Sequence, residues 1–285
     1  MKKGLVYLGI ITSLLVTALA GSALAVEPQE KAAYYLNRGV KHLVQDQYEA
    51  AAADLTRAIA LNPKSADAYF NRGVAYRHVK KFDQALADLN EALTLNPRMA
   101  EAYLARGVVY GDRGRHEMAL ADYTRAIHLK ADLGLAYFNR GIIYLHKGNY
   151  DQAIADFDRA AEISPGKAEI YVNRGVAYNK KGQTDRALAD YEQAVKMNPK
   201  SAEAYLNRGL LYGKKGEFDR AIADFTMVVK IDPKSAEGYQ NRTVAYYSKK
   251  DYAKAWEDVH QAEQLGGKFP PDFLQALRNA SGQDK

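Results

Sequence analysis

Cysteine is absent from this chain. That excludes a disulfide framework, a thiol nucleophile and any zinc site with thiolate ligands. A dominant charge sign is missing too: 40 Lys and Arg stand against 34 Asp and Glu, a formal charge of +6. The charges are evenly mixed and form no basic stripe, so nucleic acid is not an expected partner. No phosphate-cradling loop is present, since Gly266-Gly267-Lys268 lacks both the spacing and a preceding strand. No Gly-x-Ser-x-Gly elbow occurs either. The six histidines (His42, His78, His116, His128, His146 and His260) never fall four residues apart, the spacing of a helical zinc pair. From these absences we expect no catalytic residue, no metal and no cofactor, and therefore no enzyme.

Long apolar runs are also missing, with one exception at the N-terminus. Lys2 and Lys3 precede an uncharged apolar stretch from Leu5 to Ala20, which ends in Gly21-Ser22-Ala23-Leu24-Ala25. Charge, apolar core and a small-residue site in that order read as a secretory leader over 1–25, cut after Ala25. An uncleaved anchor is the competing reading, but the run is shorter than the roughly 18 apolar residues expected of a membrane span. Without Lys2 and Lys3 the formal charge falls to +4. The expected location is the periplasm or the exterior, with no stable membrane span after cleavage.

What the chain does contain is one pattern repeated seven times. Rows of 34 residues from Ala32 run to Phe269 with no insertion or deletion: 32–65, 66–99, 100–133, 134–167, 168–201, 202–235 and 236–269. A lead-in of 26–31 precedes them and residues 270–285 follow. Position 4 is always Tyr, position 20 always Ala, and position 8 is Gly until Thr243. Position 24 is bulky (Leu55, Leu89, Tyr123, Phe157, Tyr191, Phe225, Val259), and most rows end near a proline such as Pro63 or Pro199. Within a row the apolar residues recur at helical spacing on both sides of a central break, Gly216 in the sixth. Each row therefore predicts two amphipathic helices joined by a tight turn. Small residues at 8 and 20 let their backbones approach, and proline at 32 stops the second helix. A lone pair cannot bury these faces, so the rows must stack.

The columns Tyr 4, Gly 8, Tyr 11, Ala 20, aromatic 24, Ala 27 and Pro 32 at period 34 resemble the tetratricopeptide repeat (TPR). The resemblance implies an all-α, right-handed superhelical solenoid of seven helix-turn-helix units, with first helices lining a concave groove. His42, Ala131 and Thr243 depart from the pattern. After Pro270-Pro271, the apolar residues Phe273, Leu274 and Leu277 predict a short capping helix, and Asn279–Lys285 a frayed tail.

Two polar columns run through every row, Arg at position 7 and Asp at position 23. Their regular opposition reads as structural pairing between a second helix and a neighbouring first helix, with Arg174 facing Asp156 or Asp190. A ladder of cations for an acidic ligand is the alternative. Position 6 carries Asn37, Asn71, Asn139, Asn173, Asn207 and Asn241, broken once by Ala105. The resemblance places position 6 in the groove, where a carboxamide can both donate to and accept from a peptide backbone. Phe70 and Phe138 at position 5, with Val74, Val108, Ile142, Val176 and Leu210 at position 9, are then the expected groove walls. The carboxylate-clamp variant of that family carries Lys or Arg at positions 2 and 5 and Asn at 9; these are missing here, so the resemblance does not imply capture of a C-terminal carboxylate. Lys180-Lys181 and Lys214-Lys215 near the turns form a possible basic lip, with solvated turn lysines as the simpler account.

The resulting expectation is a non-enzymatic scaffold that holds a peptide segment or partner helix, in envelope assembly or secretion. Polysaccharide binding or export through the same groove is the second reading. It is disfavoured because the tyrosines occupy packing positions rather than a stacking surface. A pure spacer is opposed only by the Asn column.

Overall fold

A computed structural model describes residues 28–282. The leader over 1–25, its cut after Ala25, the first two residues of the lead-in and the last three of the tail lie outside the described residues. Within them the structure is all-α, with fifteen helices and no strand. The helices fall into two compact units, the first ending at Ile143 and the second beginning at Tyr144.

The first unit holds α1 (Pro28–Val44), α2 (Tyr48–Leu61), α3 (Ala66–His78), α4 (Phe82–Leu95), α5 (Ala100–Asp112) and α6 (His116–Leu129), together with most of α7 (Gly134–His146). The second holds α8 (Tyr150–Ile163), α9 (Ala168–Lys180), α10 (Thr184–Met197), α11 (Ala202–Lys214), α12 (Phe218–Ile231), α13 (Ala236–Ser248), α14 (Tyr252–Gln264) and α15 (Pro271–Ser281). In the first unit successive helices from α1 to α6 pack on one another, and in the second the same succession runs from α8 to α15. Successive first helices also touch: α1 with α3 and α3 with α5 in one unit, α9 with α11 and α11 with α13 in the other.

Local chemistry explains why the helices break where they do. Position 15 has positive φ in every row. It is Gly114, Gly148, Gly182 and Gly216 in four rows, and Asp46, Lys80 and Lys250 in the others. A left-handed residue ends the first helix and turns the chain back, which glycine does without steric cost. The second turn is built differently. Asn62, Asn96, Asn198 and Asp232 precede proline, and their side-chain oxygens accept from the backbone N–H two residues on. Ser65, Ser201 and Ser235 then cap the next helix by accepting from the N–H three residues ahead, at 3.1–3.3 Å.

Close approach within a row rests on the glycine at position 8 and the alanine at position 20, which is fully buried in all seven rows. A Cβ on Gly175 would lie 2.6 Å from Cε1 of the buried Tyr191, and one on Gly107 would lie 2.7 Å from Cε1 of Tyr123. The seventh row changes both columns together, with Thr243 at position 8 and the smaller Val259 at position 24, both buried. At the C-terminus α15 covers the last pair. Leu277 is fully buried with Ala255 and Val259, among Tyr247, Trp256, Phe273 and Leu274. Trp256 donates to Ser281 at 3.1 Å.

Gly175→Ala should destabilise the chain by about 1–3 kcal/mol, because the ring of Tyr191 has nowhere to move. On a Tyr191→Val background the same change should cost less than about 1 kcal/mol. Urea unfolding of the four chains checks this, and an equal cost on both backgrounds would remove the proposed clash.

Candidate functional site

The recurring charged residues fall into those the fold consumes and those it leaves outward. Arg174 shows where the charged column goes. Its Nε and Nη2 donate to the two carboxylate oxygens of Asp190 at 2.9 and 2.6 Å, and its Nη1 donates to Asp158 at 2.7 Å. Its guanidinium carbon also lies 5.3 and 5.9 Å from the ring centres of Tyr171 and Tyr178. The same fork joins Arg38 to Asp54, Arg72 to Asp88, Arg106 to Asp122, Arg208 to Asp224 and Arg242 to Asp258.

The expected geometry is therefore corrected in one respect. The Arg–Asp fork closes within a row, and Asp156 is not a partner of Arg174. The link to the preceding row runs through Nη1 to position 25: Arg72 to Thr56, Arg106 to Asn90, Arg140 to Thr124, Arg174 to Asp158 and Arg242 to Thr226. Position 25 escaped the sequence reading because it varies among Thr, Asn, Asp and Glu. The shared signal, a hydrogen-bond acceptor in each of the first six rows, was present. These arginines are spent in packing and form no free ladder for an acidic ligand.

The Asn column divides. Asn37 is exposed, and Asn71, Asn173, Asn207 and Asn241 are half-buried. Asn71, Asn173 and Asn241 each donate Nδ2 to the carbonyl four residues back, at 2.8–2.9 Å. That bond fixes the amide and leaves Oδ1 without a partner among the described residues. It also accounts for Asn in a helix, which it otherwise suits poorly. Asn139 departs from the column: it is fully buried, and neither its donor nor its acceptor has a partner among the described residues. It does not share the outward surface that the sequence assigned to it.

The expected walls divide as well. Phe70 is 8% exposed and packs against Ala102, Ala105 and Val109 of the next first helix. Position 5 of α3 is thus a contact between rows, and Phe138 is buried as well. Val108 is fully buried in a cluster with Ala136 and Ile143. Val74, Ile142 and Val176 are half-buried, whereas Leu210 is 42% exposed and Val244, its counterpart one row later, 48%. In the second unit, then, three adjacent first helices present Asn173, Asn207 and Asn241 beside Val176, Leu210 and Val244.

The lysine pairs also separate. Lys181 and Lys215 reach back to Asp151 and Asp185 of the preceding row, as Lys249 does to Asp219 and Arg113 to Asp83. Lys180 and Lys214 are exposed and carry no ion pair among the described residues. Among the described residues no group of three or more His, Asp or Glu side chains could hold a metal ion, and no helix is long and apolar enough to cross a membrane.

Models for the tetratricopeptide repeat match residues 66–99, 134–167 and 202–235, and 100–133. A further TPR repeat model matches 44–78 and 177–216. The chain belongs to the tetratricopeptide repeat family. Several solved TPR structures share the fold. A tetratricopeptide repeat protein from Parabacteroides merdae is 21% identical, with a TM-score of 0.61 over 89% of this chain and 100% of that one. The pilF protein of Pseudomonas aeruginosa is 20% identical, with a TM-score of 0.67 over 74% and 96%. YrrB, described as a TPR protein with an unusual peptide-binding site, is 24% identical, with a TM-score of 0.56 over 69% and 97%. A search of curated proteins returns no match. TPR chains bind other proteins or peptides, and the fold is typically a non-catalytic interaction scaffold.

Two measurements check the charged junction. Double-mutant cycles should give a coupling of about 1–3 kcal/mol for Arg174 with Asp190, which is buried. The more exposed Asp158 should couple by less than about 1 kcal/mol and Asp156 not at all. Second, the Arg38 fork holds the Asp54 carboxyl below its ordinary value. Its folded value thus lies under its unfolded one, so its stabilisation is complete above about pH 4–5 and is lost as pH falls through the depressed value. Asp54→Asn should flatten the fall in stability between about pH 5 and pH 2, read from urea midpoints. An unchanged slope would remove Asp54 from the acid response.

Proposed function

We propose that this chain is a non-enzymatic protein-interaction scaffold that holds a segment of a partner across the first helices of its second unit. Its place is the periplasm or the exterior, in envelope assembly or secretion. The placement rests on the leader read over residues 1–25, and the role on the repeat family together with that placement. The observation that carries the binding site is the asparagine column on α9, α11 and α13, with the amides of Asn173 and Asn241 fixed by their own helices, beside the exposed aliphatic side chains of Leu210 and Val244. Polar groups beside apolar surface are the usual make-up of a partner site. The fold itself has no use for Leu210 and Val244 in that exposure.

The same observations speak against sugar stacking. Tyr205 and Tyr212 are buried, and the rings at positions 4 and 11 lie against the arginine column rather than outward. A catalytic role finds no support in the recurring charges, since Arg and Asp are committed to each other.

The test uses the chain from Val26 to Lys285 as bait on an envelope extract, beside a variant with Asn173, Asn207 and Asn241 changed to Ala. A photo-crosslinker replaces Leu210 in one series and the exposed Gln193 on α10 in another. We expect one partner to crosslink at 210 and not at 193, and to fall by about tenfold or more in the triple variant with helicity unchanged. Asn139→Ala should leave capture as it was. Equal capture by the parent and the triple variant, with crosslinks at 193, would move the site off this face.

A further inference from the structure

Positions 2, 6, 9 and 13 of a row are spaced by four, three and four residues, so on a helix they form one stripe. In the second unit that stripe has a constant order. It begins with Glu169, Glu203 and Glu237 in the first turn of α9, α11 and α13, and passes the asparagines and then Val176, Leu210 and Val244. On α9 and α11 it ends at Lys180 and Lys214 in the last turn. Glu169 and Glu237 carry no ion pair among the described residues, and neither do Lys180 and Lys214. The three helices touch in succession. The face they build therefore has one edge of acceptor oxygens, an apolar middle and an opposite edge of ammonium donors.

The first unit does not share this order. On α3 the stripe ends at His78, stacked on Tyr48 with ring centres 4.1 Å apart. On α5 it ends at Asp112, which accepts from Arg77, while Glu101 at its start is bonded to Lys130. Helix dipoles favour acids at the start of a helix and bases at its end. That accounts for the signs, but not for two lysines left unpaired beside two others that are tied back to aspartates.

We infer that the second unit takes an amphipathic helix of opposite charge order, and that this charge order fixes the direction in which the helix lies. The inference rests on the reading that this face binds a partner. The width of the face together with its three-part order selects a helix over an extended segment. Eleven residues of α-helix separate position 2 from position 13, about 16 Å. A helix with its side chains is about 10–12 Å across, and Lys and Glu side chains on its flanks close the remaining distance. An extended segment sends alternate side chains to only two opposite sides, so it cannot set an apolar ridge between two oppositely charged flanks. The partner's apolar ridge sits on Leu210 and Val244. One flank carries acids for Lys180 and Lys214, and the other carries Lys or Arg for the glutamates and the asparagine Oδ1 atoms. A helix keeps its own backbone N–H groups bonded, so those oxygens must be met by side-chain donors. Turning the partner end for end would exchange its flanks and set like charges together, which is how one direction is enforced.

The experiment uses the full chain and three labelled helical peptides that share one leucine ridge. In the first, acids line one flank and bases the other. The second scrambles the same charges over both flanks, and the third has glutamine flanks. Fluorescence anisotropy at low salt should show the first binding about tenfold tighter than the second, with most of that preference gone at about 0.5 M salt. Lys180→Glu with Lys214→Glu should abolish the preference while the glutamine-flanked peptide binds as before. Equal binding of ordered and scrambled peptides overturns the inference and leaves the binding face standing. Failure of all three also overturns it; whether the face itself falls is then decided by the crosslinking at Leu210.

Discussion

The structure depends on one guanidinium used three ways. Each row needs its second helix held against its first at the distance set by Gly 8 and Ala 20, and each row must also be tied to the one before. Arginine meets both needs because its planar fork places two donors on one carboxylate while Nη1 points elsewhere. In Arg174 that third donor reaches Asp158 of the preceding row, and Tyr171 and Tyr178 flank the charge. A lysine would supply the charge but neither the fork nor the planar stack. The carboxylate at position 23 is buried, so losing its arginine would strand a charge in the core.

Because that column is consumed in packing, whatever function the chain has falls to side chains the packing leaves over. On the first helices these are the residues at 2, 6, 9 and 13. The two units leave different remainders. In the first, Ala105 and Val108 are buried, and the stripe on α5 ends in an aspartate already paired. In the second, Leu210 and Val244 are exposed and Lys180 and Lys214 are unpaired. The same repeat, by varying four columns, makes one stack mainly architecture and leaves the other an open, charge-ordered face. The lysine pairs show the economy of the scheme: Lys181 and Lys215 hold rows together while their neighbours stay available.

Much of this was legible without coordinates. A period of 34 with invariant Tyr, Gly and Ala columns has one physical solution, a stack of close-packed helix pairs, and the structure and the family models agree on it. The left-handed residue at position 15 was half visible, since four rows place glycine there and Asp46, Lys80 and Lys250 hide the others. Position 25 was invisible to a search for identity because the fold asks only for an acceptor. Phe70 and Phe138 were misplaced because adjacency in sequence to the Asn column suggested adjacency on the surface. A step of one residue turns a helix by about 100°, which took Phe70 into the next row and Phe138 into the interior.

By itself, then, the sequence determined the class of fold, the number and register of the rows, the breaks marked by glycine or proline and the pairing of Arg with Asp as residue types. These follow from periodicity and local stereochemistry, which are properties of short stretches of chain. Only the tertiary structure decided which Asp each Arg takes, which lysine of a pair is free, and which members of the Asn column stand outward. Those outcomes depend on what lies across the interface, and Asn139 makes the point: identical in type to Asn173 and set in the same row position, it is closed off where its counterpart is open.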